Sequence, residues 1–372
     1  MKKILFWSAV TILAAASCNK IENDALVQES NVPSFVASVD GADTKTIIDG
    51  MKSYWNGTEG IRVFDGVLAN GKVYTATVEK VQYATFVEAD ANVAIDETAD
   101  YLAVYPERPA GSVTWDGTIT SPAKKFWLPA DQTATLSSYD PSTHIAVAYA
   151  EEGDENLNFK NVNALIKFTL QSDNVSEVCF YGNNSDVIAG NFEVTYNGGE
   201  PTVNTKNQNN LKYAKITGDL EKGKTYYISV LPAAFDGGFS IETVAFGAKG
   251  TKKNSKGYLL NRNEILDLKD LSWVPDNDAT FTLELDNDNL KQWYDPYLYV
   301  WTDDDVKVLG AWPGKKMTKN GEICSISIPK EYIGKKLNFI VNSNGNWQTE
   351  NQVMNPVWGS QSYKANANFG LK

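Results

Sequence analysis

The chain has 372 residues and a net charge of −12, with 42% hydrophobic and 12% aromatic residues. That length suggests two or three domains, and the apolar share suffices for buried cores. Arginine stands only at Arg62, Arg108 and Arg262, which disfavours nucleic-acid binding and suits a secreted or surface protein with an uncharged ligand.

In chain order, Lys2-Lys3, the apolar run Ile4 to Ala16 and Ser17-Cys18 have the charge, short apolar stretch and small residues of a secretory signal. The run is too short for a stable membrane anchor, and no other run is apolar enough to span a bilayer. Ala15-Ala16-Ser17-Cys18 resembles a bacterial lipobox, in which the cysteine is lipidated and becomes the first mature residue. That likeness implies a multi-chain lipid anchor in the outer membrane. Lys20-Ile21-Glu22-Asn23-Asp24 resembles the surface-export signals of Bacteroides-type lipoproteins, which implies exposure on the cell. The expectation is a signal peptide over 1–17, lipidation at Cys18 and a flexible polar tether over 18–34. Cys179 and Cys324 sit far apart in strand-like runs and read as buried free thiols.

After the tether come short apolar alternations punctuated by Asp49-Gly50, Asn56-Gly57, Asp65-Gly66, Asn70-Gly71 and Asp116-Gly117. Asn-Gly and Asp-Gly accept positive φ and close tight hairpins. Strands are predicted at Ile61–Phe64, Val73–Val78, Tyr101–Tyr105 and His144–Ala148, with no convincing helical period. A second run of strands follows at Ala164–Leu170, Glu177–Tyr181, Asn191–Tyr196, Thr225–Leu231 and Phe239–Val244. The stretches Asn204–Asn210 and Lys249–Lys256 read as solvated connections.

Several local patterns in these units resemble the fimbrillin-like lipoproteins of the Bacteroides group. They are Thr44-Lys45-Thr46 leading to Trp55 and Val63-Phe64-Asp65-Gly66, Tyr101–Pro106, Leu128–Thr133, Phe159–Val162 with Ala164–Phe168, and Tyr227–Pro232. The resemblance implies two successive β-sandwich domains, over 35–156 and 157–270. It also implies either a pilus subunit or a monomeric surface stalk.

A linker over 271–278 leads into a final domain over 279–372. Its strands are predicted at Ala279–Leu285, Tyr297–Trp301, Glu322–Ile328, Leu337–Val341 and Tyr363–Ala367. Alternation puts Tyr297, Tyr299 and Trp301 on one strand face. Trp312 follows in a Gly/Pro-bounded loop, where packing rarely demands a tryptophan. Such rigid aromatics can stack on the C–H face of a sugar with little entropic loss. Tyr297, Tyr299 and Trp312 are expected to meet ligand, with Trp301 turned inward to hold the platform.

The same region resembles family 26 starch-binding modules, through Tyr297-x-Tyr299-Val300-Trp301, Ala311-Trp312-Pro313-Gly314 with Met317-Thr318, Asn338–Gly345 and Gln348-Thr349. That resemblance implies a small β-sandwich carbohydrate-binding module whose aromatic cradle grips curved α-1,4-glucan. Carried over, the cradle is Tyr297, Tyr299 and Trp312, with Gln348 as a polar contact; Lys316 is a further candidate, and Trp347, standing where the family often has Asn or Gln, either extends the platform or covers the core.

Other constellations read as structural. Asp303-Asp304-Asp305 lacks the spaced ligands and glycine of a calcium loop and reads as a solvated turn. Gly218–Thr225 fits a phosphate-loop pattern, yet a strand follows where a helix is required. His144, the sole histidine, has no partner for a nucleophilic triad and reads as a satisfied strand residue. Asp and Glu fall mostly in turns, without the pattern of a hydrolase domain. The reading is an all-β, non-catalytic surface lipoprotein without cofactor or metal. It captures starch or maltooligosaccharide near partner amylases and glycan importers. The alternative is a fimbrial tip or accessory subunit joined by strand exchange, or an adhesin for host glycans.

Overall fold

The computed structural model describes residues 34–39, 55–56, 59–77, 79–81, 83–89, 95–205, 209–285, 293–365 and 370–371. The signal segment, Cys18, the rest of the tether up to residue 33, and Thr44–Thr46 lie outside them. The described residues are β-strands, turns and short 3₁₀ segments, in the all-β class expected.

The first sheet closes on itself, in the order Phe35–Val39, Asn156–Asn161, Ala146–Ala150, Tyr101–Tyr105, Gly60–Phe64, Lys72–Ala76 and Ala84–Glu88. Its interior is filled by Phe35, Ile61, Val63, Tyr74, Phe86, Tyr101 and Phe159. Leu102 and Val104 point the other way and are equally buried, against Phe126, Leu128, Phe192 and Val194. This second cover explains why Tyr101–Tyr105 is a continuous apolar run: both faces of the strand are dry.

Strands cross the division read at 156/157. Ala123–Leu128 pairs with Ala189–Asn197, and Phe126 stacks on Phe192 with centroids 5.1 Å apart. Asp131–Thr133 adds in parallel to Tyr213–Leu220. Between them Gln132 is buried and clamps Ser229: its Nε2 donates to the Ser229 carbonyl at 2.7 Å, and its Oε1 accepts from the Ser229 N–H at 2.9 Å.

Beyond this seam, Thr225–Val230, Ala164–Leu170 and Ile265–Leu271 form one sheet. It encloses a core with the sheet of Ala248–Asn254, Phe239–Ala245, Val175–Gly182, Tyr213–Leu220 and Asp131–Thr133. The phosphate-loop look-alike is the end of Tyr213–Leu220 and the turn by which the chain crosses to Thr225–Val230 in the facing sheet. Lys249–Lys256, expected as a solvated connection, is instead mostly the edge strand Ala248–Asn254. It carries no apolar alternation because nearly every side chain on it is exposed, and lysines on an edge block further pairing.

The final module packs two sheets face to face. One is Thr318–Asn320, Ile323–Ile328, Ala279–Leu285 and Ser360–Ala365; the other is Lys315–Lys316, Pro296–Trp301, Leu337–Ser343 and Gln352–Met354. Phe281, Leu283, Trp293, Leu298, Val300, Phe339 and Val341 fill the space between them. The stretch read as a linker is tied down. The Trp273 indole N–H donates to the Ala248 carbonyl at 3.0 Å, and the Asp276 N–H donates to the Lys249 carbonyl at 2.8 Å. Phe246, at a hairpin tip of the preceding sandwich, packs on Trp273 and Trp358, and its carbonyl accepts from the Gly359 N–H at 2.8 Å. The module is therefore presented on a packed joint.

Candidate functional site

Leu298 and Val300 are fully buried, so the alternation of the strand turns Tyr297, Tyr299 and Trp301 outward together. Here the structure corrects the expectation for Trp301. Pairing with Leu337–Ser343 runs without a shift from Pro296↔Ser343 to Trp301↔Asn338. With no bulge to reverse its parity, Trp301 must share the face of the tyrosines. The tryptophan that fills the core is Trp293.

Residues directly opposite one another in antiparallel strands project from the same face. Three rows therefore cross this sheet. The first joins Lys316, Tyr297, Asn342 and Gln348. The second pairs Tyr299 with Ile340, which forms a buried apolar floor. The third joins Lys307, Trp301, Asn338 and Val353. Tyr297, Gln348 and Lys316, separate in sequence, thus meet in one row.

Trp312 reaches the same face from its loop. It is 44% exposed, and its ring meets Tyr299 at 5.4 Å between centroids and 80° between planes. Trp301 lies on Tyr299 at 5.0 Å and only 31°. The cluster is thus angular, with Trp312 nearly perpendicular to Tyr299. Gly314, at φ +91°, allows this by bringing the loop against the Tyr strand, where a β-carbon would stand 2.2 Å from the Leu298 carbonyl oxygen.

The loop is held from below by Asn342, which is fully buried. Its Nδ2 donates to the Pro313 carbonyl at 2.9 Å, while its Oδ1 accepts from the Gly345 N–H at 2.8 Å. One amide thereby joins the Trp312 loop to the hairpin that carries Trp347. Sequence reasoning noted Asn342 only within a motif; its signal was a polar residue in an otherwise apolar strand. Trp347 is 58% exposed, which makes it surface rather than core cover. Gln348 is also exposed.

The rim is charged but internally paired. Lys316 bonds Asp295 at 2.6 Å, and that bond raises its pKa. Lys307 pairs with Asp305 and stands 5.5 Å from the Tyr299 ring centroid. The Asp303 carboxylate accepts from Asn338 at 2.9 Å and pairs with Lys336 at 2.9 Å; the Asn338 bond first, then Lys336, holds it below the usual carboxylate range. The triple-aspartate run is thus a turn, as expected. Among the described residues no cluster of His, Cys, Asp or Glu has metal-binding geometry.

The remaining candidates lie apart from this face. His144 bonds Asn161 at 2.7 Å and sits between the rings of Tyr105 and Tyr139, where burial lowers its pKa. Cys179 and Cys324 are free thiols; burial pushes Cys179 up to about 12 and also raises Cys324.

Residues 287–354 match the family described as Starch-binding module 26. Solved structures similar to this chain include a candidate cell adhesion protein from Bacteroides ovatus, at 14% identity, 64% coverage of this chain, 91% of that one and TM-score 0.40. Another is the family 26 module CBMbc of Eubacterium rectale Amy13K in complex with maltoheptaose, at 15% identity, 56% and 93% coverage and TM-score 0.20. The tip fimbrial protein Mfa3 of Porphyromonas gingivalis matches at 10% identity, 66% and 97% coverage and TM-score 0.32. No curated protein matches the chain.

Proposed function

We propose that this chain captures starch or a related α-1,4-glucan without cleaving it, through the outer face of its C-terminal module. The observation that carries this is the 80° angle between Tyr299 and Trp312 on an exposed face of the region matched to starch-binding modules. A straight, flat chain is served by coplanar rings. A chain that curves, as α-1,4-linkage requires, meets successive faces of an angular cluster. Stacking uses the axial C–H groups of each sugar, and the amide of Gln348 and the rim charges offer partners for its hydroxyls. The face is shallow and the ligand is flexible, so affinity per site is modest.

The lipobox-like Cys18 supports a lipid-anchored place on the outer membrane. Capture there raises the local glucan concentration for surface amylases and importers. Strand exchange into a fimbria has less support: the described C-terminal strand Ser360–Ala365 is already laddered in parallel onto Ala279–Leu285. Purified mature chain should co-sediment with granular starch, be released by maltoheptaose and stay in solution with cellulose. A chain that stays in solution with starch contradicts the reading.

A further inference from the structure

The geometry points to a second sugar subsite at the Trp301 end of this face, which takes the continuation of the same glucan chain. The inference rests on the starch-capture reading and deepens it, because it makes Trp301 a determinant of chain-length preference.

Three observations carry it. First, Trp301 follows Tyr299 on the same face of the strand and leans on it at 31°, whereas Trp312 meets Tyr299 at 80°. From Tyr297 to Trp301 the strand covers about 13 Å, enough for the face to meet more than one sugar ring. Second, the row through Trp301 has the mixed chemistry that a sugar needs. Asn338 lies directly opposite, Val353 beyond it is 51% exposed, and Lys307 flanks the other side. Third, the polar groups are already ordered. Asp303 is fixed between Asn338 and Lys336, and Lys307 is paired with Asp305. Such prearranged donors and acceptors lose little freedom when a hydroxyl joins them.

The occupant follows from continuity. Trp301 is in ring contact with Tyr299, beside the apolar floor of Ile340, with the Lys307 ammonium at the junction. A glucan seated at Trp312 and Tyr299 that continues along the strand reaches Trp301 next. A short oligosaccharide that fills the angular corner does not reach it.

The test is calorimetric titration of the whole mature chain with maltotriose and with maltoheptaose, for wild type, Trp301→Ala and Asp303→Ala. Wild type should bind maltoheptaose more tightly. Trp301→Ala should lose about tenfold for maltoheptaose, or about 1.4 kcal/mol, and change less than about twofold for maltotriose. Asp303→Ala, an exposed change unlike the loss of an indole, should shift the two sugars in the same pattern but less. Equal weakening of both sugars by Trp301→Ala would make Trp301 a mere prop for Tyr299 and overturn the subsite. Unchanged binding of both sugars by both variants would also overturn it. Wild type binding neither sugar would instead overturn starch capture itself, and this subsite with it.

Discussion

Gly314 lies so close to Leu298 that a β-carbon on the glycine would stand 2.2 Å from the Leu298 carbonyl oxygen. Leu298 is the buried residue between the two half-buried tyrosines, so this contact sets how near the Trp312 loop comes to the platform. A glycine is required twice over here, for space and for its φ of +91°.

Gly314→Ala should therefore push the loop off the strand and open the angle between Trp312 and Tyr299. The strained backbone should cost roughly 1–3 kcal/mol of stability, read by thermal unfolding. Starch retention should fall with it. A variant that melts and binds as wild type does would show that the loop position is not set by this contact.

The Gln132 clamp predicts a stability loss far from the sugar face. Gln132→Ala leaves the N–H and C=O of buried Ser229 without the amide they bond. Unsatisfied buried groups cost roughly 1–3 kcal/mol. The urea midpoint should drop while binding per folded molecule stays unchanged. An unshifted midpoint would mean that water replaces the clamp.

His144 predicts a pH dependence of definite sign. Burial lowers its pKa first, and the Arg108 charge adds to this, while the Asn161 bond works against both. The folded imidazole thus stays neutral at a pH where the unfolded one, with a pKa of ~6.5, takes up a proton. The neutral imidazole's stabilisation is full above that value and is lost as pH falls through it toward the lower folded value. The stability gap between wild type and His144→Gln should shrink from pH 7 to pH 5. As the sole histidine, His144 also gives a single NMR titration, whose midpoint should lie below ~6.5. A constant gap with an ordinary midpoint would contradict the assignment.

Where side chains alternate, the sequence was easy to read. Ala164–Leu170, Tyr101–Tyr105 and Ala279–Leu285 stand as predicted because a half-buried or doubly covered strand writes its burial into its residues. Ala248–Asn254 left no such trace, since an exposed edge strand buries almost nothing. The crossing of Ala123–Leu128 onto Ala189–Asn197 was equally hidden, because pairing partners far apart in the chain share no local signal. At the site, the identity of the platform strand was legible, and so was the row that unites Tyr297 and Gln348 once the pairing is known. Trp301, expected to turn inward, shares the outer face with Tyr297 and Tyr299. The parity of a strand without a bulge is the stronger constraint. Asn342 was passed over because its importance lies in two backbone groups, of Pro313 and Gly345, that no side-chain pattern reveals.

The central claim rests on Trp312, an exposed ring that the core does not need. The most direct measurement is migration of wild type and Trp312→Ala through native gels with and without amylose. Wild type should be retarded by amylose. The variant should run nearly as in the sugar-free gel, as loss of a central aromatic anchor costs ~2 kcal/mol or more. Undiminished retardation of a correctly folded Trp312→Ala would contradict the account.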